Sequence, residues 1–199
     1  MPERVSDTRV TGQERAVSET TALLERWVTS APQRAERVAQ AFRDAGLDDS
    51  EIAHELRLRV SRPAATGDAV ATFDPAVTRA PSPMLRARLA YAGTIRDGTV
   101  CWPDLAGMAK AVQRPGLRRT FASMAEHWEG SAPATVPAGR LSVFAYSPSE
   151  PDELTLLVWP DAAASVEPAA SEEPSVALYA GQSETRFATI VEFLRWAAG

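Results

Sequence analysis

The side chains best suited to nucleophilic or metal chemistry are one cysteine and two histidines. Cys101 paired with His127 or with His54 would make a thiolate dyad, since a thiolate needs a neighbouring base to form at neutral pH. Its flanking residues Val100 and Trp102 argue instead for a small buried hydrophobe. His54 stands in Ile-Ala-His-Glu-Leu with no second histidine four residues on, so the helical two-histidine zinc motif is absent. His127 has Glu126 and Glu129 beside it, and a solvated helix end is the reading that this spacing favours over a metal site. Ala180-Gly181-Gln182-Ser183-Glu184 does not supply a nucleophile elbow. Neither a phosphate-cradling loop nor a dinucleotide fingerprint occurs. The acidic pairs Asp152-Glu153 and Glu172-Glu173 fall in a turn and a polar loop, whereas glycoside chemistry needs two carboxylates about 5–10 Å apart in a cleft. No enzymatic activity, metal or cofactor is expected.

With chemistry set aside, charge becomes the more useful signal. Residues 1–81 carry 11 Arg against 13 acids, residues 82–121 carry six Arg and Lys110 against Asp97 and Asp104, and residues 122–199 carry three Arg against 11 acids. The chain is therefore polarised, with a basic middle of +5 and an acidic end of −8 inside a net −5. Such asymmetry marks a surface for a charged partner, or two parts that face each other. Lys110 is the only lysine, and with the abundant Ala and Pro this reads as a GC-rich, bacterial codon bias. The arginine excess is thus no sign of phosphate binding. The hydrophobic share of 45% and charged share of 24% are those of a folded globular protein. A single cysteine excludes an internal disulfide, no apolar run approaches the roughly 20 residues of a membrane span, and Met-Pro-Glu-Arg-Val has no signal-peptide core. A cytoplasmic protein is expected.

The elements follow from periodicity. Residues 1–13 read as a flexible N-terminus, and 14–130 as a helical region interrupted by a Pro-rich loop over 61–83. Val17, Thr21, Leu24 and Val28 make one amphipathic helix, and Pro32 opens a second that buries Ala35, Val38, Ala39 and Phe42 and stops at Gly46. A third helix starts near Asp49 with Ile52, Ala53, Leu56 and Val60 on one side. Val70–Phe73 suggests a short strand inside the loop, and helices are expected over 83–92, 103–112 and 117–128, with a turn at Asp97-Gly98. Residues 130–139 read as a linker. Residues 138–199 form a small α+β unit, with strands at Leu141–Tyr146, Leu154–Trp159 and Val176–Ala180, a polar loop over 162–174, and one helix from Thr185 to Ala198. Both strand faces are apolar, so each needs a cover. The terminal helix is expected on one and the N-terminal helices on the other. The fold class is α+β, a helical N-terminal half packed on a small antiparallel sheet with a C-terminal helix.

Two resemblances bear on function. Asp49-Ser50-Glu51-Ile52-Ala53-His54-Glu55-Leu56 before Val60-Ser61-Arg62-Pro63 resembles the helix and turn of a helix-turn-helix motif. Trp102-Pro103-Asp104-Leu105-Ala106 before Arg114 and Arg118-Arg119-Thr120-Phe121 resembles another. That resemblance implies a helix in a DNA major groove, with Lys110, Arg114, Arg118 and Arg119 on phosphates. Separately, Leu156–Asp161, Val176–Ala180 and the run Phe187 to Trp196, with Phe187, Phe193 and Leu194 in line, resemble the C-terminal part of SUKH (SMI1/KNR4-like) domains. This second resemblance covers under a third of the chain and implies a protein-binding role of the immunity or adaptor kind. A non-catalytic protein-binding protein is the expected function, with Tyr146, Glu150, Asp152, Glu153, Trp159 and Asp161 as partner-facing residues and no membrane involvement. The alternative is a helix-turn-helix regulator whose acidic tail domain binds a partner or ligand.

Overall fold

The computed structural model describes residues 11–50, 52, 56–64, 67–98, 100–148, 153–161, 173–181 and 183–199. Helix α1 (Gly12–Thr29) begins at a capping box, in which the Thr11 hydroxyl accepts from the Glu14 amide and the Glu14 carboxylate accepts from the Thr11 amide. Helix α2 (Ala31–Asp44) follows with proline in its first turn, and Gly46, at φ +89°, ends it as the residue type that tolerates this conformation. Its Ala39 is buried but Val38 is 42% exposed, so α2 seats a narrower face than the periodicity predicts. The third expected helix lies partly outside the described residues. Helical hydrogen bonds around Ile52 survive, but Val60 belongs to strand β1 (Arg59–Val60) and not to that helix.

The Pro-rich loop holds a two-stranded ribbon, β2 (Val70–Ala71) with β3 (Thr78–Arg79). Helix α3 (Pro83–Tyr91) is capped by the Ser82 hydroxyl. The turn at Asp97-Gly98 then proves to join two strands that residue patterning did not mark, β4 (Ile95–Asp97) and β5 (Val100–Trp102). Helices α4 (Leu105–Ala111) and α5 (Pro115–His127) come next. Residues 130–139 are no linker. Ser131 caps a short helix α6 (Ala132–Thr135), the Ser131 hydroxyl donates to the Met124 carbonyl at 3.0 Å, and the Ala132 amide donates to the Tyr179 hydroxyl at 2.9 Å. The segment is ordered structure because the amides of Ser131, Ala132, Ala134, Thr135 and Val136 all find acceptors, and Ala132 and Pro133 are buried.

Strands β6 (Leu141–Tyr146), β7 (Leu154–Val158), β8 (Ser175–Ala180) and β9 (Ser183–Phe187) complete an antiparallel seven-stranded sheet in the order β1-β4-β5-β6-β7-β8-β9. The expected long terminal helix is thus divided. Gly181, at φ +59°, turns the chain back, Ser183–Phe187 pairs with β8, and only then does Thr189 cap helix α7 (Ile190–Ala198). Strand β9 is polar (Ser-Glu-Thr-Arg), which suits an edge that must not recruit another chain.

A bulge shifts the register between Val143 and Ala145, so Phe144 and Ala145 both join one core while Leu141 and Val143 face the other. Simple alternation across Leu141–Tyr146 fails for that reason. The first core joins α1, α3 and α7 to Ile95, Trp102, Phe144 and Leu157; the second joins α5 to Phe73, Val143, Leu156 and Tyr179. The terminal helix and α1 therefore share one face, and α5 covers the other. Among the described residues, no helix is long and apolar enough to cross a membrane.

Candidate functional site

Strands β5 and β6 are joined at a single register position, Cys101 opposite Tyr146. Around that weak seam, beneath α1 and α7, lies a half-open cavity of about 310 Å³. That is the low end of the range for small-ligand sites. Its aromatic wall comes from Trp27 on α1, Trp102 on β5, Tyr146 on β6, and Phe193 and Trp196 on α7. Trp27 stacks on Trp102 with ring centroids 4.7 Å apart, and Phe193 fits between Trp102 at 5.7 Å and Trp196 at 6.1 Å. Trp196 stands at the mouth and is 58% exposed.

The polar part of the lining is acidic. Asp97 and Glu153 both reach it, with Ser147 after β6 and Thr155 on β7. Asp97 is held from outside by Arg34, whose Nη2 donates at 2.6 Å while the guanidinium lies 4.4 Å from the centre of the Trp27 ring. Burial, and then Cys101, push the Tyr146 phenol above its ordinary value, while Arg114, 5.1 Å from its ring centre, pulls it down. A partner-binding candidate and a DNA-binding candidate thus meet at one ring.

The backbone behind Trp102 is tied down by a buried arginine that no motif announces. Arg88 on α3 is 1% exposed and donates to the carbonyls of Gly93 at 2.8 Å and Trp102 at 2.6 Å, with a longer bond to Ala92 at 3.4 Å. Burial lowers its pKa to about 10, so it stays charged at neutral pH. Tyr179, also in the lining, donates to Glu184, and the same Glu184 oxygen accepts from the Ala132 amide at 3.0 Å. Burial and the Glu184 bond push that phenol well up.

The six partner-facing candidates do not form one patch. Tyr146 and Glu153 line the cavity, and Glu150 and Asp152 lie outside the described residues. Trp159 is 3% exposed, its indole N–H donates to the Ser142 hydroxyl at 2.9 Å, and it belongs to the core and to no surface. Asp161 is exposed and pairs with Arg140 at 3.5 Å. Glu153 precedes β7 and Asp161 follows it, so they sit at opposite ends of a strand about 14 Å long.

Of the helix-turn-helix candidates, the first fails because β1 and extended chain follow Leu56 where a second helix is required. The second falls on two successive helices, α4 and α5, joined by residues 112–114. Lys110, Arg114, Arg118 and Arg119 are all exposed there, and none forms an ion pair with a described residue. Arg119 also borders a shallow, open groove of about 730 Å³ with Thr120, Ser123 and His127. His127 is exposed at the end of α5 and its Nδ1 meets the Ser123 carbonyl at 3.1 Å. His54 lies outside the described residues, and Cys101 is buried inside β5. Among the described residues, no group of three or more His, Cys, Asp or Glu side chains could hold a metal ion.

Sequence reasoning missed Trp27, Trp102 and Trp196 as site residues, because an aromatic residue reads as core until the fold shows what it faces. No protein-family model, curated protein or solved structure matches this chain.

Proposed function

We propose that this chain is a non-catalytic protein-binding protein, cytoplasmic and of the immunity or adaptor kind, that meets its partner at the Trp196 end of the sheet. The observation carrying this reading is the aromatic cavity with a largely exposed tryptophan at its mouth and two carboxylates in its lining. Exposed aromatic groups beside a pocket are the usual anchors of protein interfaces. The acidic C-terminal segment adds long-range attraction for a basic partner, which speeds encounter more than it strengthens the final complex. The test is affinity capture from source cells with wild type beside Trp196→Ala and Glu153→Lys. A protein retained by wild type and depleted about tenfold or more by both variants is expected. Capture that neither variant changes contradicts the reading.

A second reading has its own support. The exposed Lys110, Arg114, Arg118 and Arg119 on the α4–α5 pair suit phosphate contacts. Anisotropy of labelled duplex DNA from about 50 to 200 mM salt separates it, since a binder making 6–10 phosphate contacts weakens by roughly three to five decades over that range. Salt-sensitive binding lost in Arg118→Ala/Arg119→Ala establishes DNA binding; no binding at the lowest salt removes it.

A further inference from the structure

We infer that the cavity between α1, α7 and the β5–β6 seam is a site for an organic cation, a positively charged nitrogen carried on an apolar body. The inference rests on reading this cavity as the binding site and names the chemistry it accepts. Three features point the same way. The lining holds six aromatic residues, and aromatic faces attract cations through their negative π surface. The charged side chains of the lining are the carboxylates Asp97 and Glu153, with, among the described residues, no lysine, arginine or histidine; Arg34 pairs with Asp97 from beyond the lining. The protein also shows the recognition in its own contacts. At the rim, the Arg34 guanidinium lies over Trp27 and pairs with Asp97, and on the far side Arg114 lies over Tyr146.

Size limits the occupant. A volume of about 310 Å³ equals that of roughly ten waters, which corresponds to a ligand of about ten non-hydrogen atoms. The apolar body would rest among Trp102, Phe193 and Leu178, with the charged end toward Glu153 and the exposed face of Trp196. A free aryl or alkyl amine carries this chemistry, and so does an arginine or lysine side chain of a partner.

The test is titration of the full chain with phenethylammonium chloride, with phenethyl alcohol as the neutral match and phenylacetate as the anion, each to about 10 mM. Intrinsic tryptophan fluorescence reads binding, because Trp27, Trp102 and Trp196 lie in the wall. The ammonium is expected to bind about 5-fold or more tighter than the alcohol, within the range that cation–π attraction supplies, and the carboxylate not at all. Glu153→Gln should shrink that preference below about twofold, and Trp196→Phe, a substitution at an exposed position, should keep most of it. Competition by N-acetylargininamide but not by its citrulline counterpart assigns the cation to a partner's side chain; absence of such competition assigns it to a free amine. Equal binding of amine, alcohol and carboxylate, or no response to any of them, overturns the inference. Partner capture sensitive to Trp196 would survive that result, so the two failures are distinguishable.

Discussion

Strand β7 runs between two tryptophans that read alike in the sequence and behave oppositely in the fold. At its C-terminal end Trp159 is enclosed: its ring is buried, its N–H reaches Ser142, its carbonyl accepts from Arg140 at 2.7 Å, and its amide donates to the Arg140 carbonyl at 2.8 Å. At the other end Trp196 leans on Phe187 and Phe193, more than half exposed at the mouth of the cavity. An aromatic residue whose polar atom is satisfied and whose surroundings are filled is core. One left exposed at the mouth of a cavity marks a site. Hydrophobicity alone does not separate them.

The largest expected effect falls on that contrast. Trp159→Ala should cost about 3–5 kcal/mol in urea unfolding, while Trp196→Ala should cost under about 1 kcal/mol. Similar costs for both would erase the distinction between a closed and an open end. Arg88→Ala sharpens it, because the base of the open end is predicted to be firm even though its mouth is not. Leaving the Trp102 and Gly93 carbonyls without a donor should cost about 3 kcal/mol, lowering Tm by about 6–12 °C in calorimetry. Arg88→Lys keeps a charge but not the planar fork, and should recover only part of that loss. Tyr179→Phe removes the hydroxyl that anchors α6 through Ala132 and Glu184, at an expected cost of about 1–2 kcal/mol in the same assay.

The closed end carries a smaller, pH-dependent term. Glu173, just before β8, is half-buried against the N-terminus of α3, and neither of its oxygens has a hydrogen-bond partner of good geometry among the described residues. Burial pushes its carboxyl from 4.5 up to about 7, with the Ser82 hydroxyl and Met84 amide pulling the other way. Folding therefore favours the protonated form. This contribution is complete below the unfolded value of 4.5, fades as pH rises, and is gone above about 7. Melting temperatures of wild type and Glu173→Gln should converge near pH 4.5 and separate by pH 8, with the variant the more stable. A gap that is constant with pH would place the carboxylate in solvent.

The individual elements of the α+β fold were largely legible, and their assembly was less so. Helices α1, α2, α3 and α5 follow from apolar spacing and from proline in the first turns of α2, α3 and α5, which are local properties. Strands β4 and β5 are three residues each, too short for a period, and only pairing across the sheet defines them. Strand β9 escaped because Thr185 and Phe187 also fit the helical stripe of α7, although Gly181 was a visible stop. The swap of Ala145 to the Phe144 face depends on the bulge, which alternation does not encode.

Of the candidate site, Tyr146 and Glu153 were legible from the acidic, aromatic end of β6 and the start of β7. Trp27, Trp102 and Trp196 were not. They come from α1, β5 and α7, 75 and 94 positions apart along the chain, and only the tertiary fold brings them together. Arg88 was hidden for a similar reason, since a lone arginine in a helix reads as surface until its carbonyl partners are in place.

The most direct test of an open, binding end and a closed, structural end is ¹⁹F NMR of the protein labelled with 5-fluorotryptophan, its resonances assigned by single Trp→Phe variants. Five tryptophans give five reporters. On addition of the captured partner, Trp196, Trp27 and Trp102 should shift while Trp159 stays in place. A shift at Trp159 with Trp196 unmoved would contradict the assignment of binding to the cavity end.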